Sequence, residues 1–579
     1  MTSPFHARFR SGAMGACAIL LLLPAAALPA CSSRLEKADM ALVNGRVWTG
    51  DPARPWAEAV AVRGNLIQAV GSSAEIEERV GEATRRIDLA GRLVVPGLND
   101  AHLHFLSGSL SLGQVQLDDA ADLKEMQRRV KEWAEKHPDA PWILGRGWNY
   151  TRFPGGALPR RQDLDAVVPD RPVCLEAYDG HTTWVNSAAL AAAGIDRNTR
   201  FDGFGEIVRD PRTGEPTGAL KERADSLVWK VIPKPTEEQK VAAMQIGLAE
   251  ARRLGITSAL NATAEPEEFA LYDRLLKDGA LTLRSALALV IGRESGDADL
   301  ESYRALSETH KGPMLRGGFV KLFADGVIES HTAAMLEPYA DDPHAAGTPN
   351  FTPEELTRWV AKLDAGGFDV LVHAIGDRGV RMTLDAYQTA RSENPPRPRR
   401  HRIEHIETIA AADIARFKDL EVLASMQPLH GAPDPQGVWA RNVGRERLAR
   451  AFAWRSLRDA GAHLAHGSDW PVVTLNPYVA IYTAVTRGYP DGRAEPAWAP
   501  EQRETLDQAL TGYTLDAAYA TGEEKEKGSI EPGKLADLAV LSQDLFNIPS
   551  EQIPQTESLL TVLDGRVVHE AGPLRSTAR

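Results

Sequence analysis

The chain has 579 residues, 43% of them hydrophobic and 25% charged, and carries a formal net charge of -13 at pH 7. This is the composition of an ordinary globular protein, so a disordered chain is excluded, and the length calls for more than one minimal core. The acidic balance argues against a nucleic-acid partner, which would require a basic face.

Residues 1–30 read as an export signal rather than as part of the fold. Arg8 and Arg10 give a positive start, Gly15 to Ala27 an apolar run, and Leu28-Pro29-Ala30-Cys31 follows. The run is shorter than the roughly 20 residues a membrane span needs. Its end resembles a lipobox, which would make Cys31 the lipid-modified first residue of the mature chain, although Pro29 departs from the usual small residue. Ser32 beside it resembles lipoproteins sorted to an outer membrane. The expected location is the cell envelope, periplasmic or outer-membrane, with membrane contact only through the anchor; simple signal cleavage is the alternative. Of three cysteines, Cys17 leaves with the signal and Cys31 would carry lipid, so Cys174 is left alone as an expected core residue without a disulfide.

Residues 38–92 read as short strands, with hairpin turns at Asn44-Gly45 and Gly64-Asn65. The far end, residues 520–575, has the same character, and its last hairpin turns at Asp564-Gly565. Neither end has enough strands to bury a core alone. Between them, apolar runs predict strands at 98–104, 256–261, 283–290, 319–323, 370–373, 402–407, 422–426 and 463–469. Helical segments such as 353–365 and 446–460 separate most of them, the alternation of a TIM barrel spanning 93–519. Residues 106–254 divide the first strand from the second where one helix would suffice. They read as an inserted subdomain at the barrel mouth, where specificity loops lie.

The first barrel strand ends in His102-Leu103-His104. Residues two apart in a strand share a face, so both imidazoles aim at one spot, a grip for a divalent metal. His373, His405 and Asp469 stand at the ends of later strands, and Lys321 sits inward on the fourth. Any one alone could be a satisfied structural group; together, at one level of one barrel, they read as a metal site. Glu404 and Glu407 flank His405. Strand alternation turns Glu404 away from His405, as a helix-packing group or a support for a ligand.

The ordered set Pro-Gly-x-x-Asp-x-His-x-His, Val-Lys-x-x-x-Asp-Gly, His-Ala-Ile-Gly-Asp, Ile-Glu-His and Gly-Ser-Asp-Trp-Pro resembles the amidohydrolase superfamily. Within it the chain is similar to amidohydrolase family 3, the YtcJ-like proteins and N-substituted formamide deformylases. The resemblance runs from about Ala38 to about Pro573. It implies an α/β fold, a TIM (β/α)8 barrel beside a small composite β-sandwich built from 38–92 and 520–575, with the large insert after the first strand. It implies two divalent metals per chain, zinc foremost with manganese or iron as alternatives. His102, His104 and Asp469 would hold the buried ion and His373 and His405 the outer one. Lys321 would be carboxylated, turning a cation into a bridging carbamate; the alternative keeps it cationic, paired with Asp325 or a substrate carboxylate, with one metal bound.

The activity implied is hydrolysis of a linear C–N bond of a small molecule (amide, N-formyl or carbamate type) by a metal-bound hydroxide, with Asp469 as general base and then acid. A mononuclear cyclic-amide hydrolase or deaminase is the runner-up, and a non-catalytic solute-binding lipoprotein the rival from another class. His181 lies in a stretch that resembles a family motif reaching the substrate, with a plain structural histidine as the alternative. His331 stands where relatives often carry arginine, and Asp377 would either orient a ligand or cap a helix. Asp100 is expected to buttress the first strand. Trp148, Trp184 and Trp470 line a pocket or belong to the core. Oligomeric state is left open.

Overall fold

The computed structural model describes residues 36–153, 157–178, 180, 182–202, 205–432, 437–490, 498–572 and 574–577. The leader 1–30 with Cys17, Cys31, and also His181, lie outside the described residues. Among those described, no helix is long and apolar enough to cross a membrane.

Eight parallel strands form one sheet in strict sequence order: β1 (Leu98–Leu103), β2 (Ile256–Ala264), β3 (Arg284–Val290), β4 (Leu315–Phe323), β5 (Asp369–Ala374), β6 (Arg402–His405), β7 (Leu423–Met426) and β8 (Leu464–His466). Sequential parallel order with a helix between most neighbours is the TIM-barrel arrangement expected from the apolar runs. Alternation sorts the side chains. Val320, Leu322, Val370 and Val372 join the large buried core, while Phe319 and Leu371 pack with Leu260, Ala262, Ala286 and Ala288. Lys321 and His373 follow Phe319 and Leu371 two residues on, so this apolar layer floors the polar one above it.

Local signals account for several element ends. Thr352 caps the helix Pro353–Ala365 through a reciprocal capping box with Glu355, and Pro353 occupies its first turn, where no amide hydrogen is needed. The single helix expected over 446–460 is instead two, Arg445–Leu448 and Trp454–Asp459. Between them Ala451 bridges Thr408, Phe452 takes φ 48°, and its N–H donates to the Glu407 carbonyl at 2.9 Å. A tertiary backbone contact there outcompetes helix continuity.

Both chain ends feed two further sheets. One orders strands 575–577, 85–88, 40–43, 59–63 and 66–71; the other 566–570, 558–563, 538–541, 93–96, 46–48 and 56–57. Leu42, Val60, Ile87, Val94, Val540 and Val562 share one apolar cluster drawn from both sheets, the core of a sandwich. The predicted turns use left-handed residues: Asn44 (φ 57°), Gly64 (φ 58°), Asp564 (φ 52°) and Gly565 (φ 73°). Buried Arg284, at the start of β3, grips both Asp537 oxygens at 2.6 and 3.0 Å and Asp564 at 2.9 Å, tying barrel to sandwich.

After β1 the helix Phe105–Ser111 packs against the helix Glu237–Arg253, whose buried Val241, Met244, Leu248 and Ala251 belong to the barrel core. Between these helices lies a six-stranded sheet of its own, ordered 205–209, 216–222, 182–185, 173–177, 143–148 and 115–116. Trp148 and Trp184 are buried in its core rather than lining a pocket. Cys174 is buried there too, its thiol pushed well up by burial, so it is a packed and unreactive residue.

Candidate active site

β1 presents His102 and His104 on one face, as its alternation requires. His102 is fully buried; its Nδ1–H donates to Glu404 Oε2 at 2.6 Å, and Nε2 lies 3.4 Å from Asp469 Oδ1. His104 places Nε2 2.8 Å from the same oxygen and Nδ1 2.5 Å from Thr263 Oγ1. The Thr263 hydroxyl can donate to Nδ1 or accept from it, so His104 can give up its Nε2 proton and keep this bond.

His405 reaches the same centre by a route that alternation does not predict. Glu404 points inward and His405 would point out, yet His405 has φ 76° and Ile406 φ 50°. Two successive left-handed residues turn the chain at the strand end and swing the imidazole into the barrel mouth. Its Nδ1–H donates to Gln427 Oε1 at 2.8 Å. Asp469 is also left-handed, at φ 60°. Such backbone conformations in bulky residues are costly and concentrate at functional sites. One atom each from His102, His405 and Asp469 lies within 4.8 Å of the others, all buried.

His373 stands beside them, its ring centroid 4.6 Å from that of His405, with Nε2–H donating to the Gly326 carbonyl at 3.0 Å. Lys321 is buried at 1% exposure below these rings, its Nζ 5.1 Å from the centre of the Phe323 ring. It forms no ion pair with Asp325. That carboxylate instead accepts the N–H groups of Ala334, Ile375 and Gly376 at 2.9–3.0 Å and ties the loops after β4 and β5 together.

Electrostatics follow the packing. Burial pushes Lys321 down to about 8, against the pull of Glu404 and Asp469. Burial, reinforced by Lys321, holds His373 near 3, and burial with His373 alongside drives His405 well below the usual range. Burial alone would raise Asp469, but the flanking His102 and His104 imidazoles outweigh it and hold the carboxyl well below its usual range. Glu404 is likewise raised by burial and brought down to about 2 by His102 and Arg402. The result is neutral His373 and His405 imidazoles around ionised carboxylates, the state in which they bind metal.

A divalent cation fits this donor set. A His102 that donates Nδ1–H to Glu404 and keeps Nε2 as its ligand atom turns a lone pair toward the Asp469 carboxylate, and this buried nitrogen has no hydrogen-bond partner among the described residues. A lone pair facing an anion in a dry site is unfavourable unless a cation joins them.

A sequence profile of the amidohydrolase family matches residues 85–569. The chain belongs to this family. It is similar to Protein LONG AFTER FAR-RED 3 of Arabidopsis thaliana, 34% identical with 92% of each chain covered, and to the N-substituted formamide deformylase of Arthrobacter pascens, 28% identical over 92% of this chain and 98% of that one. Among solved structures it resembles an uncharacterized metal-dependent hydrolase of Pyrococcus horikoshii OT3, with a TM-score of 0.71 and 25% identity over 88% of this chain and 99% of that one. An amidohydrolase of this fold is a metal-dependent hydrolase, and the cluster on His102, His405 and Asp469 is its possible metal site.

Other expected residues of this amidohydrolase are placed less centrally. Asp377 begins the helix Asp377–Glu393 and accepts the Leu336 N–H at 2.8 Å, pinning the loop after β4. His331 in that loop is left-handed (φ 59°), bonded to Asp341 at 2.9 Å and set edge-on against Tyr339. Asp100 Oδ1, within β1, accepts the N–H groups of His102 and Ser468 at 3.1 and 3.0 Å, bracing the strand end and tying it across the seam to the chain after β8. Trp470 is buried against Phe105. Three site residues escaped the sequence reading: Gln427, Thr263 and His430. Gln427 and His430 share one signal, the Met-Gln-Pro-Leu-His run that leaves β7 on the catalytic face.

Proposed function

We propose that this amidohydrolase cleaves linear C–N bonds of N-acyl, N-formyl or carbamate type in small molecules. The convergence of His102, His405 and Asp469 within 4.8 Å at the barrel mouth carries the reading. The similarity to an N-substituted formamide deformylase supports the bond type. A cleft of about 690 Å³ opens beside the site, lined in part by Ile291, Phe323, Asn350 and Phe351. This is room for a substituted amide, since small-molecule pockets span roughly 300–1,000 Å³.

His102, His104, His373, His405, Asp469 and a carboxylated Lys321 would hold two divalent ions, with zinc suited to the imidazole and carboxylate donors. When bound, the metal polarises a carbonyl and makes water a competent nucleophile near neutral pH. The chain's own residues do the rest. Glu404 and Gln427 fix the rings of His102 and His405 through Nδ1. Asp469 Oδ1 faces His104, leaving Oδ2 to take a proton from the attacking water and hand it to the leaving nitrogen. The compact trio His102, His405 and Asp469 also supports a second reading with one ion per chain.

The leader and Cys31 support export and lipid anchoring in the cell envelope. The deciding experiment is turnover by the zinc-, manganese- or iron-loaded protein of a panel of N-formyl amines, N-acyl amines, carbamates and cyclic amides. Activity on the linear members is expected; activity confined to cyclic amides, or none with any metal, overturns the reading.

A further inference from the structure

β7 ends at Met426, and the short turn Pro428–Gly431 then carries His430 over the barrel mouth. The ring of His430 lies parallel to that of His405, at an interplanar angle of 2° and a centroid separation of 6.0 Å. Its Nε2 is 3.6 Å from Asp469 Oδ2, the carboxylate oxygen turned away from His104. Its Nδ1 is 3.8 Å from Glu407 Oε1. Glu407 is itself fixed: it is buried, and its Oε2 accepts the Trp439 indole N–H at 2.5 Å. The broken helix described above adds a second restraint, because the Phe452 N–H holds the Glu407 carbonyl.

The ring thus stands between two carboxylates, too far from either for a hydrogen bond. Its Nε2 is buried and has no hydrogen-bond partner among the described residues. A buried imidazole nitrogen that faces the reacting carboxylate without a hydrogen-bond partner is a group kept for a visitor.

We propose that His430 is a catalytic residue whose Nε2–H binds the carbonyl oxygen of the scissile C–N bond, and that Glu407, anchored by Trp439, is the positioning residue that aims it. This rests on the hydrolase reading above and adds the donor that meets the charge developing on oxygen as the bond to nitrogen breaks. The spacing suits it. Nε2, 3.6 Å from Asp469 Oδ2, stands beside the oxygen that would take the proton of the attacking water, with the His405 ring parallel to it.

The test compares wild type, His430→Ala, His430→Gln and Glu407→Gln, each metal-loaded, on whichever panel substrate the wild type turns over fastest. Loss of one such donor is worth about 10²–10³ in kcat. His430→Ala is expected to lose about that much with KM, metal content and Tm near wild type, and His430→Gln, which keeps an N–H, to recover part of it. Glu407→Gln is expected to lower kcat less and to add nothing in the His430→Ala background. In metal-stripped protein, calorimetry with N-benzylformamide should show binding about fivefold weaker in His430→Ala, the worth of one hydrogen bond. Unchanged kcat and affinity in His430→Ala, beside an active wild type, overturn this role and leave the hydrolase reading standing. Loss of metal in His430→Ala, with a Tm no lower than that of chelated wild type, overturns it by making His430 a ligand. A wild type that neither turns over nor binds any linear amide overturns both.

Discussion

The backbone N–H of Asp469 donates to the carbonyl of His102 at 2.7 Å, and the His104 N–H donates to the Trp470 carbonyl at the same distance. β8 has already ended at His466, so the barrel is drawn together at this seam by the backbone of its own site residues. Closure and the site therefore rest on the same residues.

Gly467 makes that approach possible. A Cβ there would sit 2.5 Å from the His102 nitrogen and 2.9 Å from its Cβ, with rigid backbone on one side. Gly467→Ala is expected to cost about 1–3 kcal/mol as overpacking and to lower bound metal, because relief means moving His102 from Asp469. Thermal unfolding and elemental analysis on the same sample check it; a destabilised variant with full metal content would separate closure from the site.

How much of this was legible beforehand varies by residue. His102 and His104 could be placed from alternation alone, and Asn44-Gly45 and Asp564-Gly565 announce their turns by composition. Glu404 could be narrowed to packing or support, and the structure makes it the partner of His102. His405 could be placed in the metal site with Glu404 turned away from it, but not the turn that brings both inward, since two left-handed residues in a row leave no pattern in the sequence. His430 was missed because the Met-Gln-Pro-Leu-His run after β7 holds a single histidine with no second ligand to space it against, and Thr263 because a threonine at a strand end is ordinary. The helix break at Phe452 depends on the Glu407 carbonyl, a partner 45 positions away in numbering (452 − 407) that no local propensity encodes.

Metal should be part of the fold. Chelation is expected to lower Tm reversibly, since an ion present at a thousandfold its Kd stabilises by about 4 kcal/mol. Two ions per chain are expected in active enzyme, and His373→Ala should reduce that number while leaving the barrel folded, because the hydrogen bond it removes is the one from Nε2 to the Gly326 carbonyl in a loop. A single ion in fully active wild type would favour the mononuclear reading.

Acid should unfold the protein through buried pairs outside the metal cluster. Glu504 is raised by burial but brought down from 4.5 to about 2 by His466, at 2.7 Å, and Arg458. Glu523 is lowered likewise by Lys527 and Arg316 at 2.9 and 3.1 Å. Both are depressed carboxyls, so their stabilisation is complete above pH 4.5 and is lost as pH falls toward 2. Glu504→Gln should cost on the order of 3–5 kcal/mol at pH 7 by stranding its partners, and the gap to wild type should narrow steadily from pH 4.5 to 3 in denaturant titrations. A gap independent of pH would contradict the assignment.

Cys31 gives the export reading a direct check. If it carries lipid, Cys31→Ala should move the protein from the membrane fraction to the soluble periplasmic fraction, and the wild-type N-terminal peptide should show the lipid mass. Unchanged fractionation with no lipid mass would leave simple signal cleavage.

Lys321 is the most exacting case. It lies buried on β4 beneath the metal-site imidazoles, next to Phe323 and without an Asp325 pair. An ammonium there would repel cations, whereas a carbamate on the same nitrogen would offer anionic oxygens to two. Burial already favours the neutral amine that carbon dioxide must meet, since the group is brought down to about 8. If the carbamate is the working form, Lys321→Arg should be nearly as damaging as Lys321→Ala, although arginine keeps the charge and much of the length. Metal content should fall in both, and a small carboxylic acid in the buffer should restore part of the activity of Lys321→Ala by standing in for the bridge. Near-normal turnover by Lys321→Arg with both metals bound would make Lys321 a structural or substrate-pairing cation instead.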